Sequence, residues 1–137
     1  MILMLVPGMP AYAGVLESLM MPGEVIEGHA KYEHDCNKCH NTFSKKQQAV
    51  QCRACHKKVD KDIRMGTGYH GLVKNIGTSE CKICHTDHIG RKANIIKMDP
   101  QTFDHRLTDF PLHGSHRQIV CAACHKPDVK YRDTKSQ

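Results

Sequence analysis

The sequence predicts a mainly α-helical fold of short helices with much irregular loop and little or no β structure. The 137 residues offer little for a conventional core, with no Trp, three Phe and four Tyr, and the mean hydropathy is -0.52. All eight cysteines fall into four Cys-x-x-Cys pairs, and this spacing suits one helical turn, which brings residues three and four apart onto one face. Such a chain must be held together by disulfides, metals or a large apolar cofactor.

The first thirteen residues, MILMLVPGMPAYA, carry no charge and end in a small-x-small site, Ala11-Tyr12-Ala13. This pattern is typical of an export signal, here a truncated one, because the basic segment that should precede it is missing. With Pro7 and Pro10 inside it, the stretch is shorter than the roughly 20 residues of a membrane-spanning helix. We therefore expect an exported, periplasmic or extracellular protein without a transmembrane span, with one domain over residues 14–137. A frayed apolar N-terminus is the alternative.

The formal net charge of +6 would suit an anionic partner such as nucleic acid. The Lys and Arg residues are scattered, however, and few aromatic side chains are present on which bases could stack. We therefore interpret the charge as a solvated cationic surface and expect no nucleic-acid partner.

A histidine directly follows every cysteine pair, which is the pattern of c-type haem attachment. In this chemistry each sulfur forms a thioether with one vinyl group of the haem, and the histidine binds the iron from one side. The sequence therefore predicts four covalently attached haem c groups, with proximal ligands His40, His56, His85 and His125. The attachment residues are Cys36, Cys39 and His40; Cys52, Cys55 and His56; Cys81, Cys84 and His85; and Cys121, Cys124 and His125.

Three other uses of the cysteines remain as alternatives. Structural zinc sites use four cysteines, or two cysteines and two histidines, but they do not require a histidine after every second cysteine. A thiol redox site is expected as a single Cys-x-x-Cys within a βαβ pattern, whereas this chain has four pairs and little strand character. Four disulfides in an exported protein are the third alternative.

Seven further histidines are available as ligands on the opposite, distal side of each iron. His88 lies only three residues after His85, so it cannot easily reach the opposite face of the same haem and should serve another. His34 and His113 are assigned to the surface or to haem propionates, and Met65 or Met98 would be an alternative sixth ligand that raises the potential. The distal candidates, of which four are needed and one is surplus, are His29, His70, His88, His105 and His116.

Helix boundaries are predicted from capping residues. Asp35, Ser79 and Ser115 stand where N-caps are wanted, and Ser44 would begin a longer helix that ends near Gly66. The haem rings would supply the apolar interior that the side chains lack. We therefore expect short helices wrapped round the haems and a chain that is unfolded without them. The first two haems should lie closest together, because only residues 41–51 separate their motifs.

Several stretches resemble a haem module of bacterial multihaem c-type cytochromes, broadly of the class III type. They are MPGEVIEGHAKYEHDCNKCH, CHKKVDKDI, GYHG, CHTDHIGR and FDHRLTDFPLHGSHRQIVCAACH, and the resemblance covers about residues 22–133. It implies a tetrahaem cytochrome that uses the four attachment motifs and the histidines at 29, 70, 88, 105 and 116.

Two histidines per iron leave no open position, which suits electron transfer rather than ligand chemistry. The expected function is therefore that of an electron carrier and not an enzyme, with electrons hopping between closely spaced haems. Its partners would be redox proteins or membrane-associated donors and acceptors. A multihaem reductase with one open haem and a self-associating subunit of a conducting filament are the alternatives.

Overall fold

Single helical turns and loops make up most of the computed structural model, which describes residues 21–41 and 47–134. Within these ranges the chain forms three α-helices, α1 (Gln48–Cys55), α2 (Lys57–Met65) and α3 (Gly68–Leu72), and no β-strand. The expected mainly α fold with much loop is therefore confirmed for this part of the chain. The 3-10 turns are Glu27–Tyr32, Cys36–Lys38, Cys81–Ile83, His105–Leu107, Gly114–Gln118, Cys121–Ala123 and Tyr131–Asp133.

The four Cys-x-x-Cys-His units share one backbone hydrogen bond. In each unit the backbone N–H of the histidine donates to the carbonyl of the first cysteine, at 2.8 Å for His40 and 2.9 Å for His56, His85 and His125. The second unit lies at the end of α1, whereas the other three form isolated 3-10 turns. This hydrogen bond closes one helical turn, which brings both cysteines and the histidine to the same side of the backbone.

The predicted long helix around the second motif is divided in two. His56 leaves the helical conformation, with φ -84° and ψ 64°, and so separates α1 from α2. The predicted end is confirmed, because Gly66 terminates α2 in the left-handed conformation with φ 65°, which glycine adopts without a Cβ clash. Ser44, the predicted N-cap, and residues 1–13, the predicted export signal, lie outside the described residues.

The capping predictions around the other motifs are largely wrong. Asp35 precedes the turn Cys36–Lys38, but its side chain makes no capping hydrogen bond. Glu80 takes the N-cap position expected for Ser79, whose Oγ instead donates to the Asn75 carbonyl at 2.8 Å. Ser115 lies inside the turn Gly114–Gln118. A single 3-10 turn has few backbone groups that need a capping partner, and flanking turns can satisfy them. Serine hydroxyls can also donate to nearby backbone carbonyls instead of capping a turn.

Ion pairs join the helices to one another and to the C-terminal turn. Asp60 accepts from Arg53 of α1 at 2.7 Å and from Arg64 of α2 at 3.0 Å. Asp62 of α2 accepts from Arg132 at 2.7 Å, and this bond attaches the turn Tyr131–Asp133 to α2. The polar surface of α2 therefore organises the segments around the second and fourth motifs.

Two segments distant in sequence, residues 23–33 and residues 87–91, are held together by a dense set of hydrogen bonds; we call this pair of segments the clamp. Arg91 donates to the Glu33 carboxylate at 2.6 Å and to the Val25 carbonyl at 3.1 Å. Backbone N–H groups on both segments also donate across the clamp, Glu27 to the Arg91 carbonyl at 2.9 Å and Gly90 to the Glu24 carbonyl at 3.0 Å. The clamp fixes the segment before the first motif against the loop that follows the third motif.

Side chains alone form almost no hydrophobic interior. Among the described residues Val25, at 7% exposure, is the one buried apolar side chain, whereas Ile83 and Val120 inside and beside the motifs are 70% and 74% exposed. None of the described helices has the length and apolar character that crossing a bilayer requires. Aliphatic packing therefore does not account for a defined fold over the described ranges.

Candidate functional site

The ring of each of the four motif histidines lies close to the ring of one other histidine. The ring centroids lie 6.2 Å apart for His40 and His88, and 6.0 Å apart for His56 and His29. A similar spacing recurs in the third and fourth motifs, with 6.0 Å for the pair His85 and His70 and 6.1 Å for the pair His125 and His105. The structure thus brings together all four motif histidines with four of the five distal candidates.

This separation suits a metal held between two imidazoles. A metal–nitrogen distance of about 2.0–2.1 Å on each side places the centroids of two opposed rings roughly 6 Å apart. Ordinary aromatic contacts also have centroid distances of about 4.5–7 Å. The one-to-one pairing of the histidines is therefore stronger support for a metal site than the distance itself. Every motif histidine has one histidine partner, and no two motifs share one.

The remaining histidines lie elsewhere. His116 packs its ring edge-on against Phe110, with centroids 6.3 Å apart, and not against a motif histidine. It is therefore the one of the five candidates whose ring is not paired with a motif histidine. His34 and His113 are exposed, as expected for surface residues, and Met65 is 63% exposed.

Defined hydrogen-bond partners orient several of the paired imidazoles through Nδ1. Metal-binding histidines commonly use one ring nitrogen in this way, and the other nitrogen, here Nε2, is then left to bind the metal. The partners are the Asp87 carboxylate for His29 at 2.5 Å, the Gly23 carbonyl for His88 at 2.8 Å, the Ile95 carbonyl for His85 at 3.0 Å and the Thr134 hydroxyl for His125 at 3.0 Å.

Short elements of different kinds carry the four distal histidines. His29 lies in the turn Glu27–Tyr32 and His70 in α3. His105 begins a turn that the Asp104 carboxylate caps by accepting from the N–H of Arg106 at 2.9 Å. His88 lies in the clamp in the left-handed conformation, with φ 62°, and its N–H donates to Asp87 at 2.8 Å. Non-glycine residues held in this conformation are uncommon and concentrate at functional sites.

Burial favours the uncharged form of two of the paired histidines. Burial is the main cause of the lowered pKa of His56, and the nearby His29 adds to it. Burial is likewise the main cause of the lowered pKa of His70, and the nearby His85 adds to it. A lowered pKa favours the uncharged imidazole at neutral pH, and the uncharged imidazole is the form that binds a metal.

Cysteines bring the second motif next to its two neighbours. The thiols of Cys52 and Cys81 are hydrogen-bonded, and burial together with this contact raises the pKa of Cys52 to about 11. Cys39 of the first motif is close enough for the charges of Asp87 and Cys55 to add to burial in raising its pKa. No disulfide joins any of the eight cysteines, all of which lie in the described ranges. The first three motifs are therefore neighbours in space.

Two open clefts adjoin these elements. One, of about 380 Å³, borders the second motif and is lined by Val50, Arg53, Ala54, Lys57 and Asp60. The other, of about 330 Å³, lies between α2 and the C-terminal turn and is lined by Lys58, Lys61, Asp62, Thr67, Arg132 and Asp133. Both contain basic side chains that suit carboxylate groups of a ligand.

Ligand-type side chains in the described ranges come in pairs and not in larger groups. No cluster of three or more His, Cys, Asp or Glu side chains that could hold a metal ion is present there. The histidine pairs instead lie beside the cysteines of each motif. These residues fit a planar metal cofactor attached at its edge by two sulfurs and bound above and below by nitrogen, as expected for haem c.

The supporting residues were not predicted from the sequence. Asp87 stands between two candidate histidines in CHTDH, but its partner His29 is 58 residues away, so no local signal indicates the contact. Thr134 and the carbonyls of Gly23 and Ile95 are likewise brought to their histidines by the fold, and no sequence pattern indicates these contacts.

Comparison with family models, with characterised proteins and with solved structures gives no match to this chain.

Proposed function

We propose that the protein is an exported electron-transfer protein that carries four covalently attached haem c groups, each with two histidine ligands. The observation that carries the proposal is the pairing of every motif histidine with a different second histidine at 6.0–6.2 Å. The proximal ligands would be His40, His56, His85 and His125. Their distal partners would be, in the same order, His88, His29, His70 and His105.

The chain would hold each haem by its two cysteines and close both faces with imidazole. A haem iron with two histidine ligands supplies a one-electron couple and has no open position for a substrate. The Nδ1 hydrogen bonds to Asp87, Gly23, Ile95 and Thr134 would keep the imidazoles in one orientation through oxidation and reduction, as second-shell partners of metal ligands do.

The proximity of the motifs supports electron exchange among them. The contact between Cys52 and Cys81 and the closeness of Cys39 to Cys55 would bring the first three sites together. The protein's contribution would then be spacing, orientation and tuning of the cofactors. Redox proteins or membrane-associated donors and acceptors would be its partners.

A reductase with one open haem is the rival proposal from another class. Such an enzyme needs one iron without a distal histidine, so that substrate can bind there. The four complete histidine pairs favour the electron carrier instead.

The test is to produce the chain, with an export signal, in a host that attaches haem to Cys-x-x-Cys-His motifs. A pyridine haemochrome spectrum and the intact mass should give four covalent haems per chain. The dithionite-reduced protein should take up no carbon monoxide, because all irons are six-coordinate. A colourless protein, a zinc-loaded protein or pigment extracted by acidified acetone would refute the proposal, and uptake of one carbon monoxide per chain would favour the reductase.

A further inference from the structure

We propose that Asp87 is a positioning residue that gives the site of the second motif, His56 with His29, the lowest reduction potential of the four. The inference rests on the proposed tetrahaem function. It extends that function by assigning the order of the sites, which neither the motifs nor their spacing indicates.

This site differs from the others because the hydrogen-bond acceptor of its distal histidine is negatively charged. Asp87 Oδ2 lies 2.5 Å from His29 Nδ1, and an anionic acceptor strengthens electron donation by the imidazole to a metal at Nε2. Stronger donation stabilises the oxidised metal and lowers its reduction potential. The other described Nδ1 partners, the Gly23 and Ile95 carbonyls and the Thr134 hydroxyl, are uncharged.

Backbone hydrogen bonds hold the carboxylate in this place. Asp87 Oδ1 accepts from the N–H groups of Ile26 and His88, each at 2.8 Å, and the side chain is 24% exposed. Arg91 of the same clamp pairs with Glu33 at 2.6 Å and so does not take up the charge of Asp87. The carboxylate is therefore positioned to act on His29 throughout a redox cycle.

The test is a spectroelectrochemical titration of the haem-loaded Asp87→Asn protein. Its lowest macroscopic potential should rise while the upper three move less. Asparagine can still accept the two backbone N–H groups through Oδ1, but it carries no charge, and its amide nitrogen cannot accept a hydrogen bond from His29 Nδ1. The matched control is Asp99→Asn, which removes the same charge from an exposed turn whose hydrogen bonds are local. Asp99→Asn should leave the lowest potential unchanged.

A second variant, His29→Met, assigns the site without altering Asp87. Methionine in place of histidine raises the reduction potential of a haem, so the lowest of the four potentials should shift to a higher value. In this background Asp87→Asn should add no further shift of that site, as in a double-mutant cycle for two residues acting through one contact. The His29→Met titration decides the assignment even if the Asp87→Asn protein does not fold.

Three results would overturn the inference: equal shifts in Asp87→Asn and Asp99→Asn, an Asp87→Asn shift that persists in the His29→Met background, or loss of an upper potential in His29→Met. Haem content is measured first on the unaltered protein. A chain without four haems refutes the proposed function, whereas a four-haem protein with any of these three results refutes the role of Asp87 alone.

Discussion

His105 and His125 face each other with ring centroids 6.1 Å apart, although they lie on two separate segments of the chain. His116 is closer to His125 in the sequence, but its ring contacts Phe110. The fourth pair therefore draws its second member from an earlier turn and leaves the nearer histidine unused. Within the same candidate set, this arrangement distinguishes His105, which is paired with a motif histidine, from His116, which is not.

We expect His105→Ala to open one site and His116→Ala to open none. The reduced His105→Ala protein should bind one carbon monoxide per chain, because its fourth haem would lack a distal ligand. His116→Ala is the matched control and should behave like the unaltered protein, which is expected to bind none. Carbon monoxide titration followed by absorbance measures both, and uptake by His116→Ala would show that the pairing is wrong.

The sequence predicted the parts of the site that depend on neighbouring residues. Each motif turn is closed by a hydrogen bond from the histidine to the first cysteine, such as His40 to Cys36, and is therefore encoded locally. The set of candidates for the histidines that pair with the motif histidines could also be chosen from the sequence, because 11 histidines are more than a chain of this length usually contains. His88 was expected to serve a haem other than that of His85, which stays a prediction, and its ring is paired with that of His40.

The pairings themselves could not be predicted, because contacts distant in sequence determine them. His88 reaches His40 from the clamp, where its Nδ1 bonds the Gly23 carbonyl 65 residues away. The break at His56 between α1 and α2 was also missed. Helix propensity favours a continuous helix there, and tertiary context overrides propensity.

The approach of α3 to α2 depends on Gly71. A Cβ at this position would clash with the Asp62 carbonyl oxygen and would lie 2.7 Å from the Gly66 carbonyl carbon, both of them backbone atoms. Gly71→Ala should therefore lower the free energy of unfolding of the haem-loaded protein by about 1–3 kcal/mol, the usual cost of overpacking. Guanidinium denaturation followed by the haem absorbance measures the change.

Gly77→Ala is the matched control for Gly71→Ala. Its added Cβ would make an ordinary contact, 3.9 Å from the Ile63 side chain, so the free energy of unfolding should change by less than about 0.5 kcal/mol. If both substitutions have the same effect, close packing at Gly71 is not what holds α3, and with it His70, in place.

The chain without haem should be unfolded. Val25 is the one buried apolar side chain among the described residues, and burial of apolar area is the main favourable contribution to folding. Protein produced without haem attachment should therefore show the far-ultraviolet circular dichroism of a disordered chain, whereas the haem-loaded protein should show a helical spectrum and a cooperative unfolding transition. A cooperative transition in the haem-free chain would contradict the view that the cofactors supply the interior.

Acid should weaken the clamp through Glu33. The hydrogen bond from Arg91 outweighs burial and holds the pKa of Glu33 below its usual value near 4.5. Because the folded-state pKa is lowered, the stabilisation is complete above the unfolded-state value and is lost as the pH falls through the folded-state pKa. Glu33→Gln should therefore be less stable than the unaltered, haem-loaded protein at pH 7, and this difference should close below about pH 4.5.

Glu24→Gln tests whether the effect belongs to this contact. Glu24 lies 3.7 Å from the same Arg91 guanidinium, but its side chain is 63% exposed, against 12% for Glu33. Exposed ion pairs contribute little because solvent screens them, so Glu24→Gln should match the unaltered protein in thermal unfolding at each pH. A Glu33→Gln defect that stays constant between pH 7 and pH 3 would mean that the substitution acts through packing and not through the charge of the carboxylate.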